Sequence, residues 1–188
     1  MSKSSLKKES LYYLIIKSQN GNSKALEELI KRVQKNVYST FAHLTQKRDD
    51  ILDLTQEALL KMSKSILQLK NPKQFKSWLN KIITSVYYDY ARKFPNKFVE
   101  ISEENFNKIK DKTGCEPGEK CIFTELDKII KMALMTLSKD LRITIVLREY
   151  EGLSYQDIAE VTNTAIGTVK SRLARARLKL QNELKEFI

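Results

Sequence analysis

The stretch from Leu153 to Leu180, LSYQDIAEVTNTAIGTVKSRLARARLKL, permits few backbone arrangements. At an advance of about 100° per residue, Val169, Leu173, Ala176 and Leu180 fall in one narrow sector, so its second half is a helix with one buried side. Lys170, Ser171, Ala174 and Arg175 lie on the opposite side, with Arg172 and Arg177 at the margins. A shorter helix precedes it. Ser154 stands where an N-cap belongs, with Asp157 three residues later as a weak form of the capping box. Ile158, Ala159 and Val161 supply that helix's apolar side. Thr162 to Ala165 breaks the pattern, and Asn163 tolerates the left-handed backbone that a tight turn needs.

Two short helices around a tight turn, the second with small polar and basic residues outward, form a helix-turn-helix suited to a DNA major groove. Arginine and lysine can reach guanine edges, Ser171 can donate or accept, and Ala174 lets the backbone approach a thymine methyl. A basic helix merely solvated on an ordinary bundle is the competing reading. It leaves the agreement of cap, turn, apolar stripe and basic face without a cause.

The rest of the chain bears this out in its chemistry. Five Gly and three Pro among 188 residues leave little material for β-turns, and long Leu/Ile/Lys/Glu-rich stretches make the chain all-α. A net charge of +11 favours a polyanion, either nucleic acid or an anionic membrane surface. No apolar run reaches the roughly 18 residues of a spanning helix, and the N-terminus lacks a signal-peptide pattern, so a cytoplasmic location and no membrane insertion are expected. One His and two Cys cannot make a four-ligand zinc set, and nothing points to a metal or cofactor. Cys115 and Cys121 flank a turn-like EPGEK and could pair, although free thiols are the default in a cytoplasmic protein. His43 reads as structural.

In chain order, a polar and basic N-terminus that frays is followed by helices over 11–19, from Asn22 or Ser23 to about 44, and from about 50 to 67. The second has Ala25, Leu26, Leu29, Ile30, Val33 and Val37 inward. The third turns Ile51, Leu54, Ala58, Leu59 and Met62 inward and carries Asp53, Gln56 and Glu57 on its polar side. Asn71-Pro72 is an N-cap and first-turn proline pair opening a fourth helix to about 94. Between Lys70 and Lys97 stand seven basic residues against a single acid, Asp89, interleaved with six aromatics, a combination that can hold phosphates and stack unpaired bases. Phe75 and Trp78, however, read as core. Residues 96–125 carry seven acids with Gly114, Pro117 and Gly118, and 96–123 read as a linker. Helices over 126–137 and from a Ser138 cap to about 150, with Ile145, Val146 and Tyr150 inward, lead to the helix-turn-helix.

With both halves in view, the chain resembles a bacterial RNA polymerase sigma factor of the extracytoplasmic-function (ECF) group, within the sigma-70 family. DLTQEALLKM is similar to the D-x-x-Q-E-x-x-L segment of region two, FKSWLNKIITSVYYDYARK to its continuation, and LREYEGLSYQDIAEVTNTAIGTVKSRLARARLKL to region four. The resemblance implies two small helical domains, a region-two bundle over 1–95 and a region-four helix-turn-helix over 124–188. It implies a factor without catalysis of its own that binds core polymerase and promoter DNA. Asp53, Gln56 and Glu57 would dock on the β′ clamp coiled coil, and region four would pack near the β flap. Lys70, Asn71, Lys73 and Gln74, in a flexible loop, with Lys76, Lys81, Arg92 and Lys93 would bind the −10 element. Thr168, Lys170, Ser171, Arg172, Ala174, Arg175 and Arg177 would bind the −35 element, Lys170 and Arg175 at base edges and Arg172 and Arg177 at phosphates. An anti-sigma factor would be a further partner. The chain departs from the pattern at Ile82-Ile83-Thr84-Ser85, where the family often has I-A-x-N, at Leu137-Ser138, where L-P is common, and at Asn163, in place of a turn glycine. The rival reading is a helix-turn-helix regulator with an N-terminal dimerisation or sensing bundle, but such a protein has no need of DLTQEALLKM followed by a basic aromatic helix. An enzyme acting on nucleic acid fits worst, since no metal-carboxylate cluster, P-loop or nucleophile pair is present in the sequence.

Overall fold

The computed structural model describes residues 10–95 and 125–185, and all of their regular structure is helical. The chain divides into two compact units.

In the first unit, α1 spans Leu11–Gln19, α2 Ser23–Leu44, α3 Arg48–Ser65 and α4 Phe75–Lys93, with single 3-10 turns at Ile66–Gln68 and Pro72–Gln74. The Asn20-Gly21 stop works as a Schellman cap. Gly21 takes φ +80°, and the Asn22 amide donates to the Lys17 carbonyl while the Gly21 amide donates to Ser18. Asn22 then caps α2 by accepting from the Ala25 amide at 3.0 Å. α2 packs on both α1 and α3, burying Ala25, Leu29, Val33, Val37 and Phe41. The α3 stripe of Ile51, Leu54, Ala58 and Met62 is buried as its spacing requires, while Leu59 is only half-buried. The Gln19 side chain donates to the carbonyls of Ile66 at 3.0 Å and Leu69 at 2.7 Å, tying α1 to the turn after α3. His43 is buried, its Nδ1 2.7 Å from the Ser39 carbonyl, in keeping with a structural role.

In the second unit, α5 spans Glu125–Met135, α6 Lys139–Glu149, α7 Tyr155–Thr162 and α8 Ile166–Leu184. Ser138 does occupy the N-cap of α6, but its side chain makes no capping hydrogen bond. The corner between α5 and α6 is held instead by Arg142. Its Nη2 donates to the carbonyls of Met135 and Leu137, each at 2.8 Å, and the residue is 3% exposed. Those carbonyls, left over at a helix end, explain how an arginine can be buried there. Tyr150, expected in the core with Ile145 and Val146, is exposed, because the chain leaves the helix at Tyr150 and Gly152 (φ +63°) turns it away. The expected fraying N-terminus and acidic linker, with Cys115 and Cys121, lie outside the described residues.

Around the tight turn, local chemistry agrees with the sequence in detail. Ser154 Oγ accepts from the Asp157 amide at 3.0 Å, and Asp157 Oδ2 accepts from the Ser154 amide at 3.2 Å and its hydroxyl at 2.6 Å. The capping box is thus closed in both directions with Asp in the usual Glu position. At the other end Asn163 takes φ +52°, the Thr164 amide donates to Ala159 at 2.9 Å and the Asn163 amide to Glu160 at 3.4 Å, a Schellman pair. Ser154→Ala is expected to lower the stability of this unit by about 1 kcal/mol. Thermal unfolding followed by circular dichroism measures it, and an unchanged midpoint would mean that water replaces the cap without loss.

Candidate nucleic-acid interface

On α8, the residues aligned for burial are buried: Val169 and Leu173 at 1% exposure and Ala176 at 0%, with Leu180 half-buried. They set the helix against α6 and α5. Its outer face presents Lys170, Ser171, Ala174 and Arg175, all exposed, with Thr168 half-buried at one edge. Ser171 Oγ donates to the Thr168 carbonyl at 3.0 Å, and Arg175 Nε to the Ser171 carbonyl at 3.3 Å, so these side chains lie along the helix surface. Gly167 is exposed, and a Cβ there would meet nothing within 4 Å. The face is therefore flat at its N-terminal end and cationic further along, a shape that fits a groove floor.

The two marginal arginines are placed differently from expectation. Arg172 Nη2 lies 3.5 Å from Asp140 Oδ2, with its side chain only 16% exposed. It links α8 to α6 and leaves little of its side chain open to a phosphate. Arg177 Nη2 lies 2.8 Å from Glu149 Oε1, both side chains about half exposed. Glu149 foremost, then the Tyr155 hydroxyl, raise the Arg177 pKa above its ordinary value. The Tyr155 ring also carries Arg148, whose guanidinium carbon sits 5.0 Å from its centroid. The sequence shows Asp140 and Glu149 only as helix acids; their reach to α8 depends on tertiary packing.

In the first unit, Asp53, Gln56 and Glu57 are all exposed on α3. Glu57 is paired with Lys61 at 2.8 Å, and Lys61 reaches Asp89 of α4 at 3.4 Å. Lys61 is held above its ordinary pKa, first by the Glu57 hydrogen bond. Two residues that sequence reasoning passed over, Leu52 and Leu60, are open on α3 at 41% and 58% exposure, and Leu67 of the turn after it is 70% exposed. At about 100° per residue, Leu52 and Leu60 flank Gln56. Leucines interleaved with carboxylates on an open face suit a protein partner better than solvent or DNA.

Lys70, Asn71, Lys73 and Gln74 are exposed, but the segment is not the flexible loop expected. Asn71 Oδ1 accepts from the Lys73 amide at 3.0 Å and the Asn71 carbonyl from the Gln74 amide at 2.9 Å, winding it into a 3-10 turn. Lys76, Lys81, Arg92 and Lys93 are exposed along α4, with Lys93 5.5 Å from the Phe94 ring centroid. Phe75 is buried as expected. Trp78 is not core: it lines an open cleft of about 600 Å³ between α3 and α4, together with Lys61, Lys64, Lys81 and Ser85. One turn past Phe75, its burial depended on how far α3 and the Ile66–Gln68 turn extend over it, which no spacing rule states. Lys61 and Lys64 are the cations that a reading confined to residues 70–97 could not include.

The chain matches the model of Sigma-70 region 2 over residues 29–94 and that of Sigma-70, region 4 over residues 127–180. It is 32% identical over 183 residues to the ECF RNA polymerase sigma-E factor of Haemophilus influenzae, covering 93% of this chain and 95% of that one. The chain belongs to the sigma-70 family, in its ECF group. The Escherichia coli K12 sigma-E factor is 31% identical over the same length, covering 93% of this chain and 94% of its own. Among solved structures, the sigma factor RpoE in complex with the anti-sigma factor NepR from Bartonella quintana superposes with a TM-score of 0.65 at 27% identity, over 86% of this chain and 98% of that one. CnrH, solved with the cytosolic domain of CnrY, gives 0.65 at 19% identity over 93% and 97%, a likeness of fold. The two bundles of this sigma factor are thus the region-two and region-four units of its family. As a sigma factor it directs promoter recognition by RNA polymerase and is not an enzyme.

Proposed function

We propose that this sigma factor docks on core polymerase through α3, opens and reads the −10 element with the Pro72–Gln74 turn and α4, and reads the −35 element with α8. The observation that carries the proposal is the segregation of chemistry. Exposed leucines and carboxylates share one face of α3, lysines with an accessible tryptophan line the neighbouring cleft, and small residues with Lys170 and Arg175 form the outer face of α8. The working division is 1–95 for the first unit, 96–123 for the linker and 124–188 for the second. The β′ clamp coiled coil is the partner assigned to Asp53, Gln56 and Glu57, and the β flap that of region four. An anti-sigma factor as a further partner is supported by the similar sigma factor solved with one. Among the described residues no helix is long and apolar enough to cross a membrane, which agrees with work at the chromosome in the cytoplasm.

Run-off transcription on a pool of genomic fragments, with purified core polymerase and with or without this chain, tests the whole reading. Chain-dependent start sites sharing two upstream elements are the expected result, and identical transcripts in both reactions would end it. Within the reading, exchanging residues 70–74 for those of another factor of the group is expected to change the −10 sequence selected and leave the −35 sequence alone. Flipped bases are read by the pocket that receives them. Unchanged −10 choice would move base recognition to the cleft around Trp78.

A further inference from the structure

Arg177 stands at the margin of the outer face of α8, about half exposed, where an ordinary arginine would neutralise a duplex phosphate. In this fold the guanidinium is already paired with the Glu149 carboxylate of α6, Nη2 to Oε1 at 2.8 Å. On the other margin Arg172 is occupied in the same way by Asp140, more deeply. Both marginal arginines of the helix therefore face a carboxylate of α6, while Lys170 and Arg175 stand exposed on its outer face.

We propose that Glu149 is a charge mask: it holds Arg177 off the phosphate backbone, so that α8 binds duplex DNA with one phosphate contact fewer than its sequence offers. The inference rests on the assignment of α8 as the DNA-reading helix. Its consequence is a sigma factor that, free of polymerase, adheres less to arbitrary DNA and leaves its binding to base contacts. An exposed ion pair is weak by itself, and this one gains because α6, packed against α8, holds the carboxylate in register. Arg172, mostly buried, is the strut that keeps the two helices in that register.

The full chain, wild type and Glu149→Gln, is titrated by fluorescence anisotropy against a short duplex with a matched −35 site and one with a scrambled site, from 50 to 200 mM salt. Glutamine keeps the shape and a hydrogen-bonding oxygen while removing the charge. Each added phosphate contact steepens the logarithmic salt slope by about 0.9, an extra loss of about threefold across that range. Glu149→Gln is expected to tighten binding to both duplexes alike at 50 mM and to steepen the slope by that amount. Arg177→Ala alone is expected to leave the wild-type slope in place, and Glu149→Gln/Arg177→Ala to return to it. A lost supporting contact would weaken binding, so a gain with a steeper slope cannot come from damaged folding. An unchanged slope in Glu149→Gln overturns the proposal, and so does a slope reduced by about one in Arg177→Ala, which would mean that DNA already displaces Glu149. Failure of the assignment beneath it shows separately, as wild-type protein that does not distinguish matched from scrambled duplex.

Discussion

Glu57→Lys is expected to weaken binding of this sigma factor to core RNA polymerase by about tenfold or more, with helix content unchanged. Reversing a charge at a complementary interface replaces attraction by like-charge contact, which costs several kcal/mol when the groups are desolvated. Glu57 is half exposed and lies about 60° around α3 from the open Leu60, so a partner seated on that leucine would desolvate it. Within the fold its loss is mild. It forms an exposed i,i+4 pair with Lys61, of a kind worth about 0.3–0.5 kcal/mol, and Lys61 keeps Asp89. Glu27→Lys is the matching control, because Glu27 makes the same i,i+4 pair with Lys31 at similar exposure on α2. Fluorescence titration of labelled protein with core enzyme decides the matter. Equal affinity for the Glu57 and Glu27 variants would remove α3 from the polymerase interface.

At the promoter, Arg175→Ala is expected to cost about 1–3 kcal/mol on a matched −35 site, roughly 5- to 150-fold in affinity, and to relax discrimination at one base pair. Arg175 is exposed on the face opposite Val169, Leu173 and Ala176, and its anchor is a long bond from Nε to the Ser171 carbonyl, readily given up for a guanine edge. Lys170→Ala is expected to act at a different base pair, since the two lie more than a helical turn apart. Holoenzyme carrying each variant is titrated against promoters with single substitutions across the −35 element. If Arg175→Ala weakens every sequence by the same factor, Arg175 contacts phosphate, and α8 is rotated in the groove so that another part of its surface meets the base edges.

The parts of these sites that were legible in the sequence are those governed by neighbours along the chain. Helix periodicity placed the buried side of α8, and with it the exposed side carrying Lys170, Ser171, Ala174 and Arg175. It did the same for α3 and its exposed Asp53, Gln56 and Glu57. Residues closer to the edge of a stripe escaped it. Trp78, Leu59 and Tyr150 could be core or surface according to what a distant segment covers, and the structure leaves all three at least partly open. Leu52 and Leu60 of α3 lie outside its buried stripe, and periodicity does not say whether a partner covers them.

Sequence alone determined the helical class, the order of the two bundles, the turn of the helix-turn-helix and the family. The class and the turn follow from short-range rules: the 3.6-residue repeat, the reciprocal cap of Ser154 and Asp157, and the tolerance of Asn163 for φ +52°. The family and the order of its two regions follow from the resemblance of two motif segments. Tertiary structure alone decided which charges are available. Arg142 is buried on the carbonyls of Met135 and Leu137, Arg172 is held by Asp140, Arg177 by Glu149, and Lys61 is shared between Glu57 and Asp89. A sequence counts each of these as a full positive charge. The field that a partner meets depends on side chains brought within a few ångströms from other helices, because charge interactions fall with distance in space and are indifferent to distance along the chain.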